Sequence, residues 1–163
     1  MKRIVIMRNF FSRQNSSVFL ITSKLYDQDS FYSAFKRDLA NARNYVVIES
    51  PFLTLRRAHT LMPILRKLRS KNIKIIVNTK PFDEHDTILR EQVKQVVSIL
   101  QSIGVTVLMT TGHHRKLAII DDVLWEGSLN ILSQNDSCEL MRRTQSPKLA
   151  SQMMSFIGLD KWK

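Results

Sequence analysis

The chain has 163 residues, 44% of them hydrophobic and 24% charged, with four Gly, four Pro and one Cys. This composition excludes collagenous, linker-rich and wholly disordered classes, and the length suits one domain that buries roughly 70% of its unfolded surface. Twenty-five Lys and Arg against fourteen Asp and Glu give a formal charge of +11, which favours a polyanionic partner.

Met1 to Arg8 holds an apolar run of four residues that Arg8 interrupts, too short for a secretion-signal core. No later stretch approaches the roughly 20 apolar residues of a membrane span, so no membrane partner is expected. The single cysteine, Cys138, permits no intrachain disulfide, and a reducing cytoplasm is the expected compartment. Residues 1–17 read as a lead-in free to move and residues 18–163 as one domain.

A β-prone run from about Val18 to Ser23 predicts the first strand. Phe31, Ala34, Phe35, Leu39 and Ala42 recur at helical spacing, with Asp29 or Ser30 placed to cap. Tyr45 to Ile48 predicts a buried strand that Glu49-Ser50-Pro51 ends. Leu61, Ile64, Leu65 and Leu68 predict a helix with Pro63 in its first turns. Ile73 to Asn78 reads as a strand, Thr87 to Ser102 as a helix and Val105 to Thr110 as a strand. Lys116 to Asp121 and Val123 to Trp125 are spaced as a hairpin, Cys138 to Arg142 as one more strand, and Ser146 to Ile157 as a closing helix. Short apolar strands alternating with helices predict an α/β fold: a mixed, mainly parallel sheet sandwiched between helices in a single domain.

Between Gly112 and Asn130 stands His114-x-Lys116-x4-Asp121, followed by Gly127-Ser128-x-Asn130. On an extended segment residues two apart share a face, so His114 and Lys116 bring a nucleophile and a cation together. The small residues and the amide of the second segment add neutral donors. A phosphodiester suits this set, because its anion needs donors and cations while one imidazole attacks phosphorus and a second protonates the leaving oxygen. Neither a metal nor a cofactor is required. The plainer alternative is a polar strand mouth with ordinary turn residues, and the order of all six residues argues against it.

The arrangement resembles the HKD motif of the phospholipase D superfamily, and the resemblance runs from about Val18 to Phe156. It implies metal-independent, two-step phosphoryl transfer through a phosphohistidine. By that resemblance His114 is the nucleophile, Lys116 and Asn130 hold phosphate oxygens, Ser128 lines the same pocket and Asp121 is a structural or electrostatic support. Glu139 falls where the family often has a carboxylate that orients the histidine through its other ring nitrogen. An ordinary edge-strand carboxylate is the alternative there.

Family sites combine two such motifs, whereas this chain has one, since neither His59 nor His85 is followed by lysine two residues on. The resemblance therefore implies a symmetric homodimer in which His114 of each chain completes one shared site, as in small bacterial endonucleases of the superfamily. One spacing departs from the pattern: five residues separate Asp121 from Gly127 where six are expected. A loss confined to Asp121-Asp122 preserves the facing of both strands, whereas a shifted register would turn Ser128 and Asn130 away. The intact Gly-Ser-Leu-Asn favours the first outcome.

From Pro51 to Phe82 there is no acidic residue and there are eight cations. Arg56, Arg57, Arg66, Lys67 and Arg69, together with Arg115, are the candidate nucleic-acid contacts, with DNA favoured over RNA. Ser50 and His113 are candidate substrate-edge residues. His59 and His85 read as surface residues, Cys138 as a small buried group, and Asp83, Glu84 and Asp86 as helix-start carboxylates rather than a metal site. Leu124 to Ser133 is also similar to phospholipase D-like domains attached to helicases and restriction-type enzymes, which makes such an enzyme a candidate partner. An endonuclease is the leading expectation. A non-catalytic nucleic-acid-binding module of the same fold is the alternative, and a phospholipase D-type lipid hydrolase is the less favoured one.

Overall fold

The structure is a computed structural model that describes residues 22–133 and 137–162. The lead-in and most of the strand expected at Val18 to Ser23 lie outside the described residues. The first described strand is β1 (Thr22–Asp27), and it delays the first helix cap less than the sequence suggests. Asp27, not Asp29 or Ser30, caps helix α1 (Gln28–Ala40): its carboxylate accepts the Ser30 N–H at 2.9 Å while the Ser30 hydroxyl accepts the Asp27 N–H.

Strand β2 (Tyr45–Glu49) leads to helix α2 (Leu55–Ser70), strand β3 (Lys74–Thr79), helix α3 (Thr87–Ser102) and strand β4 (Thr106–Met109). Pro63 sits mid-helix in α2 rather than in its first turns, because the helix begins at Leu55. Strands β5 (Leu117–Ile120), β6 (Val123–Gly127) and β7 (Leu140–Gln145) follow, and helix α4 (Pro147–Phe156) closes the chain.

One seven-stranded sheet results, in the order β1-β7-β6-β5-β2-β3-β4. The α/β sandwich with a mixed sheet is the expected one, but its parallel part is confined to β2, β3 and β4. The remaining pairings are antiparallel because β5, β6 and β7 meander and β1 adds to the far edge.

Strand alternation divides the core into two layers. Phe31, Phe35, Leu61, Leu65, Val93, Val96 and Leu100 of α1, α2 and α3 pack on Val46, Ile48, Ile75, Val77 and Trp125. On the opposite face Ala150 and Met154 of α4 cover Val47, Ile76, Leu117, Ile119 and Leu124. Among the described residues one face therefore has three α-helices and the other the ten-residue α4. No helix among the described residues is long and apolar enough to cross a membrane.

Candidate active site

The β5–β6 hairpin positions the motif. Ile120 pairs with Val123 and Leu117 with Glu126, so only Asp121 and Asp122 form the turn. Asp121 takes the left-handed backbone (φ 49°) that such a tight turn requires. The ladder runs without a bulge and ends where the Gly127 N–H meets the Lys116 carbonyl at 3.2 Å. Fewer residues between aspartate and glycine thus shorten the turn and leave the strands in register. The Asp121 carboxylate accepts the backbone N–H groups of Arg43, Asn44 and Tyr45 at 2.7, 2.9 and 3.1 Å, tying the hairpin to the start of β2. It lies at the end of β5 away from His114 and Lys116.

His114 and Lys116 precede β5 on an extended segment, at the end of the sheet where β2 and β3 finish. The Lys116 ammonium donates to His114 Nδ1 at 3.1 Å and to the His114 carbonyl at 3.0 Å. His114 is exposed to solvent and Lys116 half-buried. Burial pushes the Lys116 amine below the usual lysine range, against the opposing pull of the Glu139 carboxylate.

Gly127 allows β6 and β7 to approach. A Cβ there would collide with the Leu140 carbonyl oxygen and stand 2.9 Å from Met141 Cα. Gly127→Ala is therefore expected to cost about 2 to 3 kcal/mol, read as a lowered thermal midpoint. An unchanged midpoint would mean the two strands part freely. Beyond Gly127, the Ser128 hydroxyl accepts the Leu140 N–H at 3.0 Å, so it is engaged by β7. Asn130 is buried, and its Oδ1 has no partner among the described residues. The loop that follows is fixed from three sides: Tyr32 donates to the Ile131 carbonyl, Thr54 N–H to that of Leu132, and Leu132 N–H to Ser50 Oγ. Burial pushes the Tyr32 phenol up to about 12.

Glu139 accepts the Ser137 hydroxyl at 2.7 Å, and its N–H donates to Gln28. Its charge reaches Lys116, whose ammonium in turn meets His114 Nδ1.

Several expected roles are corrected. Ser50 is no substrate-edge residue: it is fully buried, donates to the Phe52 carbonyl at 2.9 Å and accepts from Leu132. His113 is 4% exposed and lies beneath the surface rather than at the substrate edge. His85, expected at the surface, is buried against Phe52, and Cys138, expected buried, is exposed just before β7. Glu84 accepts the Gly112 N–H and Asp86 caps α3, consistent with carboxylates that serve the backbone.

The cations also divide. Arg115 is not free for a phosphate: its guanidinium forks onto Glu49, which is fully buried, through Nε to Oε2 and through Nη2 to Oε1 at 3.0 Å. Asn78 donates to the same carboxylate at 2.9 Å and accepts from Thr110. Sequence reasoning missed this network, whose only signal is an acidic residue ending the apolar run of β2. Arg69 is also engaged, donating to the Ile73 carbonyl at 2.6 Å. Helix α2 carries its basic residues along about 24 Å, so Arg56 and Arg57 lie near the motif while exposed Arg66 and Lys67 approach the far end of the sheet. Arg57 stacks 3.4 Å above the Tyr32 ring. Lys80, one of the eight cations between Pro51 and Phe82, sits over Phe52 at the motif end.

Burial is the main cause that holds His85 and His113 below the ordinary histidine range; for His113, Glu49 opposes it while Arg115, Lys116 and His114 reinforce it. The unfolded chain, whose histidines titrate near about pH 6.5, then takes up these protons first. Their contribution to stability is complete above that pH and is lost as pH falls through it toward the folded values. The urea midpoint should be lower at pH 5.5 than at pH 7.5; an equal or higher one would contradict the buried neutral imidazoles.

Residues 35–158 match the family model described as cardiolipin synthase, PLD-like domain. The chain belongs to the phospholipase D-like family. Membership brings the reaction class with it, and the protein is a phosphodiesterase of the hydrolase type. No curated protein matches the sequence. Among solved structures, this phospholipase D-like chain is similar to NucT from Helicobacter pylori, with a TM-score of 0.70, 19% identity and coverage of 87% of this chain and 95% of that one. It is similar to Nuc from Salmonella typhimurium, a phospholipase D family member, with a TM-score of 0.69, 12% identity and coverage of 83% and 91%. TrmBL2, an archaeal chromatin protein, aligns with a TM-score of 0.56 and 8% identity over 88% of this chain and 52% of its own. At these identities the likeness is one of fold.

Proposed function

We propose that the chain is a metal-independent, cytoplasmic phosphodiesterase that cleaves nucleic acid, DNA in preference to RNA, through a phosphohistidine at a site shared by two copies. The observation that carries this reading is the Lys116 ammonium 3.1 Å from His114 Nδ1, beside a hairpin that leads into Ser128 and Asn130. In the free chain Lys116 holds Nδ1. An arriving phosphate competes for that ammonium, and Nδ1 then takes the ring proton with Glu139 as its acceptor, leaving Nε2 unprotonated for attack.

Nε2 forms a bond to phosphorus as the bond to the leaving oxygen breaks, and that oxygen takes a proton from His114 of the partner subunit. Lys116 and the Asn130 amide steady the non-bridging oxygens through the change. The now neutral His114 of the partner subunit removes a proton from water, whose oxygen displaces Nε2 and releases the phosphate monoester.

Nucleic acid as substrate draws support from the charge of +11 and from Arg56, Arg57 and Lys80 near the motif. TrmBL2, which shares the fold, is described as binding DNA. Backbone contacts carry no sequence information, so a helicase or restriction-type partner suits such a site as the source of selectivity. A second reading, lipid headgroup hydrolysis, is favoured by the family model's description and by an apolar groove that reaches Lys116.

Cleavage of single- and double-stranded DNA in excess EDTA, with the solution mass measured on the same sample, tests the proposal. Metal-free cleavage by a dimer is expected. Salt-sensitive DNA binding without cleavage would assign a binding module, and turnover confined to anionic phospholipid vesicles would assign the lipid reading.

A further inference from the structure

We propose that a hollow at the end of the sheet opposite His114 anchors a second phosphate, with its base, of the nucleic-acid strand that the motif cleaves. The inference rests on the nucleic-acid reading and specifies where the strand is held away from the motif. The hollow, of about 280 Å³, lies where β3 and β4 begin, and its walls include Arg69, Lys74, Gly104, Thr106, Lys161 and Trp162. Its three cations come from the last turn of α2, the first residue of β3 and the C-terminal turn Asp160–Trp162, and no carboxylate among the described residues lines it. A solvated helix face carries its charges on one element, whereas these converge on a concavity from three.

The donors identify the occupant. Arg69 Nη1 donates to the Ile73 carbonyl at 2.6 Å, which orients the guanidinium without cancelling its charge. Gly104 (φ 83°) turns beneath it, and a Cβ there would stand 3.1 Å from Arg69 Nε and 3.2 Å from Nη2. Arg69 Nε and Trp162 Nε1 are buried donors with no acceptor among the described residues. A phosphate brings acceptors and negative charge together, which is what two unmatched donors and three cations lack; an apolar ligand would leave all of them unanswered. Trp162 is half-buried, with the Lys161 ammonium 5.9 Å from its ring centroid, and an aromatic surface beside cations takes a base by stacking while the backbone meets the charges. The six residues of β3 set the hollow about 20 Å from the motif end, a span of about six nucleotides at about 3.4 Å each.

Cleavage of a single strand of about 20 nucleotides and of one of about four, both in excess EDTA, tests the anchor in wild type and Lys161→Glu. Quenching of indole fluorescence by the long strand, measured in His114→Ala so that the strand stays intact, reads binding directly, with Trp162→Ala added as the control. Per phosphodiester bond, the wild-type KM is expected to be at least about 10-fold lower for the long strand than for the short one. Lys161→Glu should raise the long-strand KM about 10-fold, keep kcat within about twofold and leave the short strand nearly unchanged. The long strand should quench the indole signal in a salt-sensitive manner, and Trp162→Ala should remove that quench. Equal KM values for the two lengths, or a Lys161→Glu loss that is the same for both, would overturn the anchor while leaving nucleic-acid cleavage standing. A quench by thymidine monophosphate as strong as that by the strand would assign the hollow to a free nucleotide and overturn the anchor as well. Neither cleavage nor quench with either strand would overturn the nucleic-acid reading itself, and the anchor with it.

Discussion

On the proposed mechanism, His114→Ala is expected to lower metal-free DNA cleavage by at least about 10⁴-fold while leaving the melting temperature within a degree or two of wild type. The two halves of this result have separate causes. His114 is exposed, and its side chain meets the ammonium of Lys116, so its removal opens no cavity and strands no buried group. The reaction, by contrast, loses both the atom that bonds to phosphorus and, in a shared site, the acid that protonates the leaving oxygen. DNA affinity should persist, because the cations at Arg56 and Lys80 are untouched. Single-turnover rates and a filter-binding isotherm on one preparation separate the two. Activity within tenfold of wild type would show that another residue attacks phosphorus.

Arg115→Ala is the substitution with the largest expected cost in stability, about 3 to 5 kcal/mol, seen as a fall in the urea midpoint. The argument turns on an asymmetry within the ion pair. The Glu49 side chain is fully buried while that of Arg115 is 40% exposed. Removing Arg115 leaves a carboxylate without its cation in the sheet interior, with Asn78 as its remaining donor. Glu49→Gln strands only a guanidinium that water already reaches, and about 1 to 2 kcal/mol is expected. Both variants should also slow catalysis, since Arg115 stands between His114 and Lys116 and its fork fixes that segment; a displacement of about 1 Å there costs up to about 100-fold. Equal costs for the two variants, or an Arg115→Ala whose sole effect is weaker DNA binding, would contradict a structural clamp.

The order of strands and helices was legible because short apolar runs such as Tyr45 to Ile48 and the helical spacing of Phe31, Phe35 and Leu39 carry clear periodicities. Strand direction was less so. Parallel β2, β3 and β4 follow from helical crossovers, but the antiparallel return of β5, β6 and β7 depends on turns whose pairing partners lie far apart in sequence. The motif itself was visible as spacing, and the structure has a two-residue turn at Asp121-Asp122 between paired β5 and β6. Burial of single polar residues was the weak point. Ser50, His85 and His113 look like surface groups in sequence, yet backbone carbonyls, Phe52 and Glu49 enclose them. Arg115 and Arg69 likewise count as free cations until the fold commits each to a buried acceptor.

The shared site is tested most directly by mixing wild-type and His114→Ala chains, unfolding and refolding them together, and measuring cleavage at each ratio. Since each dimer needs His114 from both chains, activity should follow the square of the wild-type fraction, about one quarter at an equal mixture. A linear fall, about one half at the same mixture, would show that each chain works alone and would contradict the shared site.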